Sequence, residues 1–277
     1  MSDGALVAGV SSVRAVARKR TERMLVTQVG AGGRKRRPDE LIVEEPMTIQ
    51  LDGVVVTTTM RTPGNDFELA VGFCFTEGLL AGAPVTGVRY CADGSAMATA
   101  FNVVTVETGS RAPVPTARLG TTSSSCGWCG SDQIDALLAR LDELPPTDPI
   151  DEDVLAAMPQ RALAGQGLYN STGAVHAAAA FDRDGQVLVT REDVGRHNAV
   201  DKVIGALQLS GDLPATGRGL FVSGRASVEM VQKAWAGGFA ALVAVSAPTA
   251  LAVEAARKAG MTLLGFVRTG SHNVYAP

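Results

Sequence analysis

Two cysteines three positions apart, in Ser125-Cys126-Gly127-Trp128-Cys129-Gly130, are the residues of this chain best placed to do chemistry. The thiolate is the nucleophilic form of cysteine, and a helix N-terminus or a nearby cation can lower a thiol pKa from about 8.5 to roughly 3.5–7.5. Both cysteines stand in a Gly- and Ser-rich stretch just ahead of Ser131, which can cap a helix carrying Ile134, Leu137, Leu138 and Leu141 on one face. That placement favours nucleophilic sulfur, such as a thiolate that takes up sulfane sulfur and holds it as a persulfide. Cys126 leads the stretch and is the better persulfide bearer, with Cys129, nearer the helix, to assist transfer or release.

The spacing alone also admits a metal site, a redox disulfide or inert thiols. A zinc site wants a second pair of ligands, but Cys74 falls on the buried face of a helical pattern and His176, His197 and His272 are scattered. No metal is expected. A thioredoxin-like pair belongs near the start of a βαβ pattern, whereas this one follows a β-rich half. A zinc deaminase needs H-x-E ahead of P-C-x-x-C, and here His176 follows the cysteines with no acid beside it.

A second constellation lies near the C-terminus. Apolar runs at residues 219–222, 241–245 and 261–267 alternate with helical patterns at about 227–235 and 249–258. This alternation predicts a parallel sheet with right-handed crossovers, whose ligands sit outside the carboxyl ends of the strands. Those ends are Ser223, Gly224 and Arg225; Ser246, Ala247, Pro248 and Thr249; and Arg268, Thr269, Gly270 and Ser271. Small residues, two arginines and two helix N-termini on one edge ask for phosphate, and a dinucleotide-like ligand would suit them. Just upstream, Arg191, Glu192, Asp193, Arg196, His197, Asn198, Asp201 and Lys202 crowd between a strand and a helix over 194–207. A solvated helix start has the same composition. However, Arg196 and His197 in a first turn oppose the helix dipole unless an anion is present. Both are therefore candidates for the phosphate or guanine pocket, with Asp193 to bond a base edge or orient His197. His176 reads as a satisfied core histidine, Trp128 as a loop anchor, and Arg61 either lines the cavity or pairs with Glu68 or Asp66.

These groups need elements to position them. Residues 1–22 read as a mobile tail, 24–29 as a strand and 30–39 as a loop. Runs at 41–43, 47–51, 54–60 and 101–107 read as strands, with Asp52-Gly53 as a hairpin turn. Phe67, Val71, Cys74 and Phe75 mark a helix that Asn65 or Asp66 caps. A short helix fits 151–158, and Asp182-Arg183-Asp184-Gly185 joins a hairpin. The expected organisation is α/β: a tail (1–22), a β-rich N-terminal subdomain (23–122), a mobile cysteine loop (123–130) and an α/β cofactor-binding subdomain (131–277).

The 277 residues carry a net charge of −3 and are 46% hydrophobic, so nothing global invites nucleic acid or an anionic membrane. The basic runs Arg18-Lys19-Arg20 and Arg34-Lys35-Arg36-Arg37 read as a solvated tail and loop. No stretch nears the ~20 apolar residues of a membrane span and no secretory signal opens the chain. The cytoplasm is therefore expected, and with it reduced cysteines.

Several segments together resemble one family. They are Glu44-Glu45-Pro46-Met47-Thr48-Ile49, Met60-Arg61-Thr62-Pro63-Gly64-Asn65-Asp66-Phe67, the cysteine motif, Thr172-Gly173-Ala174-Val175-His176, and the run from Arg191 to Lys202. Ser223-Gly224-Arg225, Ser246-Ala247-Pro248-Thr249 and Gly265-Phe266-Val267-Arg268 complete the series. In this order they resemble the FdhD family of formate dehydrogenase accessory sulfurtransferases, from about residue 40 to the end. The resemblance implies a three-layer second half similar to the cytidine deaminase fold without its zinc chemistry, and a homodimer. It implies that sulfur passes from a cysteine desulfurase to Cys126, then to Mo-bis(molybdopterin guanine dinucleotide), a cargo that guanine nucleotide mimics, for formate dehydrogenase. The family's cofactor-binding stretch would fall on Phe266, Val267, Arg268, Thr269, Gly270 and Ser271. Ser271 stands where some relatives would carry a basic residue, and Gly173-Ala174 stands where Gly-Gly is expected.

Overall fold

The computed structural model describes residues 18–91, 96–115, 138–139 and 141–277. Among them are three sheets and six helices. Strands β1 (Thr21–Gly30) and β2 (Gly33–Ile42) form a two-stranded antiparallel ribbon. Strands β3 (Glu45–Leu51), β4 (Val54–Arg61), β5 (Gly87–Tyr90) and β6 (Val103–Glu107) form a sheet in the order β4-β3-β6-β5, covered by α1 (Asp66–Thr76). Helices α2 (Glu152–Leu163) and α3 (Gly167–Thr172) then lead into the larger unit. This comprises β7 (His176–Phe181), β8 (Val187–Asp193), α4 (Arg196–Ser210), β9 (Gly219–Val222), α5 (Val228–Ala236), β10 (Ala241–Ala244), α6 (Ala250–Ala259), β11 (Thr262–Arg268) and β12 (Ser271–Ala276). Its six strands lie in the order β12-β11-β10-β9-β7-β8.

The expected alternation is present: β9, β10 and β11 run parallel, joined through α5 and α6. Alternate side chains of a strand face opposite ways, and both faces are apolar here. Leu220 and Val222 of β9 join one core with Val203 of α4, Val231 of α5 and Ala256 of α6. Phe221 joins the other with Leu155, Met158 and Ala162 of α2. Helices therefore cover the six-stranded sheet on both faces, giving three layers.

Helix α1 belongs to two packings at once. Leu69, Ala70 and Cys74 meet Met47, Ile49, Val104 and Val106 of the smaller sheet. Gly72 meets α4, where a Cβ would stand 1.8 Å from the Asp201 carbonyl oxygen. At Gly205 a Cβ would stand 1.8 Å from that of Glu68. The two backbones thus touch at a pair of glycines. Beside this crossing Lys233 Nζ, 4% exposed, reaches Asp201 Oδ1 at 2.8 Å, Thr76 Oγ1 at 2.8 Å and Glu77 Oε1 at 3.3 Å. Burial disfavours the Lys233 charge, but the Asp201 and Glu77 carboxylates outweigh it and raise its pKa.

Four expectations need correction. Of the residues expected in the tail, Thr21 and Glu22 already belong to β1, paired with Ile42 and Leu41, and residues 1–17 lie outside the described residues. The loop expected at 30–39 is largely β2, a strand held by its ladder to β1 rather than by burial. The helix expected at 151–158 continues to Leu163 through Pro159, because packing of Met158 and Ala162 outweighs the lost backbone bond. A final strand, β12, returns antiparallel beside β11.

Candidate functional site

Beyond the carboxyl ends of β9 and β10 lies a cleft of about 420 Å³, lined by Gln166, Tyr169, His176, Val194, Ser223 and Val245 among others. Strand β7 runs against β9, so His176 at its start reaches the same edge as Ser223 at the end of β9. Ser223 Oγ accepts the Ala177 N–H at 2.9 Å and lies 3.4 Å from His176 Nδ1, to which its own hydroxyl can donate. Burial, then the charges of Arg196 and His197, hold the His176 pKa below its ordinary value against the pull of Asp193. The imidazole is therefore neutral near pH 7, has a partner in Ser223 as expected, and is half-buried at the cleft rather than in the core.

Gly224 brings the loop and the helix together: a Cβ there would sit 3.6 Å from the His176 ring and 3.8 Å from Arg196 Cδ. Arg196 is the first residue of α4, after Gly195 as N-cap. It has no ion pair among the described residues, and its Nε is buried without a hydrogen-bond partner. An unpaired guanidinium in a first helical turn opposes the dipole, and an anion would relieve both faults. Arg225 is exposed, with no ion pair among the described residues.

The other sequence candidates are placed differently. Asp193 is fully buried and accepts from Thr62 N at 3.1 Å, Gly195 N at 2.8 Å and Asn198 Nδ2 at 2.9 Å, with Lys202 Nζ at 2.7 Å. Four donors leave it no lone pair for a base edge, and it does not orient His197. It pins the turn that presents Arg196, helped by Thr62 Oγ1, which accepts the Val194 N–H at 3.1 Å. Burial pushes the Lys202 pKa down and Asp193 opposes. His197 Nε2 meets Glu229 Oε2 at 2.9 Å, tying α4 to α5. That hydrogen bond keeps the Glu229 carboxyl below its usual range, against burial.

The stretch 266–271 is not one loop. Phe266, Val267 and Arg268 end β11, Thr269 and Gly270 turn, and Ser271 opens β12. Val267 is fully buried in the core beside α2, so it contacts no ligand in this arrangement. Phe266 is 45% exposed with φ +53°, and its N–H donates to the Ser246 carbonyl. Arg268 donates to the carbonyls of Val245 and Val267, next to the cleft. Arg61 is fully buried against Asp66 at 3.0 Å, while Glu68 takes Arg191. Cys126 and Cys129 lie outside the described residues. Sequence reasoning missed Thr62 and Glu229: Thr62 bonds Asp193 across 131 residues, and Glu229 stands one place short of the Ser-x-x-Glu capping pattern.

Residues 42–277 match the model of the FdhD/NarQ family. The chain belongs to that family. Among curated FdhD relatives, the "Sulfur carrier protein FdhD" of Streptomyces avermitilis is 46% identical over 268 residues, spanning 92% of this chain and 94% of the relative. The proteins of the same name in Mycolicibacterium paratuberculosis (92% of this chain, 96% of the relative) and Mycobacterium tuberculosis (86% and 90%) are 47% identical over 262 residues and 45% over 249. A solved structure from Desulfotalea psychrophila, described as a formate dehydrogenase accessory protein, superposes with a TM-score of 0.75 at 23% identity. The match covers 94% of this chain and 98% of that one, and it shows that the FdhD chain shares that fold.

Proposed function

We propose that this protein is a cytoplasmic sulfur carrier for formate dehydrogenase. The Cys126 thiolate attacks the sulfane sulfur of a cysteine desulfurase persulfide, the donor thiolate leaves, and Cys126 carries the persulfide. Its outer sulfur then goes to Mo-bis(molybdopterin guanine dinucleotide), a substrate here. Release at the sulfide level needs two electrons, which the Cys129 thiolate supplies by attacking Cys126 and closing a disulfide that a cellular thiol reductant reopens. The observation that carries this reading is full-length similarity to proteins named sulfur carriers, over 268 residues in the Streptomyces avermitilis case. On this reading residues 23–122 and 131–277 are two units joined by 123–130, the second is a zinc-free relative of cytidine deaminases, and the protein works as a homodimer.

The described residues supply the anion-binding part. Arg196 meets a phosphate of the cargo, Arg225 and Arg268 flank it, and neutral His176 with Ser223 lines the cleft wall. Residues Thr269, Gly270 and Ser271 offer backbone N–H groups beside them. The test is the intact mass of the full chain after incubation with a cysteine desulfurase and cysteine. One added sulfur atom is expected in wild type, lost on reduction and absent in Cys126→Ala. No added sulfur in wild type with an active donor refutes the carrier. A second reading, a cofactor chaperone without sulfur chemistry, is favoured by Arg196 alone, and it predicts that Cys126→Ala still supports formate dehydrogenase.

A further inference from the structure

Gln166 stands at the N-cap of α3, where a side chain ordinarily accepts one of the first free N–H groups of the helix. Here it does not. The Glu192 carboxylate, carried by β8, takes that place: Oε2 accepts the Leu168 N–H at 2.9 Å and Oε1 the Tyr169 N–H at 2.7 Å. The Gln166 backbone is satisfied too, its N–H by the Leu163 carbonyl and its carbonyl by the Asn170 N–H. Only the side-chain amide is left over. Gln166 is 5% exposed and lines the cleft, and its amide has no hydrogen-bond partner among the described residues. A buried amide left unpaired is unfavourable, and a ligand in the cleft would satisfy it.

The same cleft offers a second polar group of fixed sense. With the Ser223 hydroxyl donating to His176 Nδ1, the proton of the neutral imidazole sits on Nε2 and makes that atom a donor. Much of the remaining lining, with Pro159, Leu163, Val194 and Val245, is apolar. Apolar walls with a few placed polar groups suit a flat heterocycle. A ring carbonyl would meet the imidazole N–H, and an amino group would meet the amide oxygen. An adenine edge puts an amino group where that carbonyl would be, and so sets donor against donor.

We propose that His176 and Gln166 read the lactam-and-amine edge that guanine and pterin share, with His176 Nε2–H donating to the ring carbonyl and the Gln166 carbonyl accepting from the 2-amino group. Arg196 flanks the His176 ring across Gly224, so an anionic group attached to the bound ring has a cation beside it. The proposal rests on the reading of this cleft as the cargo site. It adds a specificity-determining residue, Gln166, that acts on the ring rather than on the phosphate.

The experiment is titration calorimetry of the full chain with two matched pairs of probes. Guanosine diphosphate is set against inosine diphosphate, which lacks the 2-amino group. Pterin-6-carboxylate is set against lumazine-6-carboxylate, in which an oxygen replaces it. Wild type should prefer the amino member of at least one pair by about tenfold. Gln166→Ala should bring that preference below about twofold, and Gln166→Glu, which keeps an acceptor, should retain it. Collapse in the first pair assigns guanine to the cleft, and collapse in the second assigns pterin. A merely structural role for Gln166 would weaken both members alike and leave their ratio at the wild-type value. That result, or a wild type without preference in either pair, overturns the proposal alone. A wild type that binds neither guanosine diphosphate nor pterin-6-carboxylate overturns the cargo reading of the cleft along with it.

Discussion

Removing the Arg196 guanidinium should cost nucleotide affinity and leave the fold alone. Arg196 makes no ion pair among the described residues and its buried Nε has no partner, so Arg196→Ala breaks no hydrogen bond or ion pair among the described residues. In the complex, the guanidinium would give a charge-assisted hydrogen bond to phosphate, worth about 1.5–3 kcal/mol. That corresponds to roughly 10- to 150-fold in dissociation constant. Titration calorimetry with guanosine diphosphate measures it, with thermal unfolding of the free protein alongside. Arg196→Lys should fall between, because an ammonium keeps the charge and loses the fork. Increasing salt should weaken wild type more than Arg196→Ala. Affinity within twofold of wild type, with the melting temperature unchanged, would refute the assignment of Arg196 to the anion. A drop of several degrees in melting temperature would show instead that Arg196 holds the fold.

Gly72→Ala acts on the joint between the halves. Its Cβ would need to move at least 1.2 Å, from 1.8 Å to the 3.0 Å limit, away from a rigid backbone oxygen. Overpacking of this kind costs about 1–3 kcal/mol, to be read as an earlier urea midpoint with the slope unchanged. The His176 pKa, lowered chiefly by burial, sets a pH dependence. The folded chain binds fewer protons at this ring than the unfolded one, so its stabilising contribution is full above pH ~6.5 and fades below it. His176→Gln should flatten that part of the acid-side decline in urea unfolding. An anion beside the ring would raise its pKa, so nucleotide affinity should increase from pH 8 to 6 in wild type and lose that trend in the variant.

The parallel part of the fold was legible because each of β9, β10 and β11 is a short apolar run followed by a helix with a clear start, Ser227 or Thr249. Of the ribbon, β1 was legible at 24–29 but β2 was not, because Arg34 to Arg37 show no apolar alternation and the strand owes its shape to its neighbour. Strand β12 was hidden by polar Ser271, His272 and Asn273, of which Ser271 and Asn273 pair with β11 at the edge of the sheet. At the candidate site, the place of Arg196 in the first turn of α4 was legible from the helix pattern. Asp193 was misread because a buried carboxylate with four donors has the same sequence signature as an exposed one. Its donors come from Thr62, Gly195, Asn198 and Lys202, and the first is more than a hundred residues away.

Thr62 has a wider consequence. It ends the smaller sheet, yet its N–H bonds Asp193, its hydroxyl accepts from Val194 and its carbonyl accepts Lys202 Nζ at 3.0 Å. The floor beneath Arg196 is therefore composite, built by both halves of the chain. Without Thr62 the Lys202–Asp193 pair would be short of two hydrogen bonds, a costly state for buried charge. On the proposed reading, anion recognition would be a shared property: a fragment carrying Arg196, Arg225 and Arg268 would regain it only by complementation with the other half.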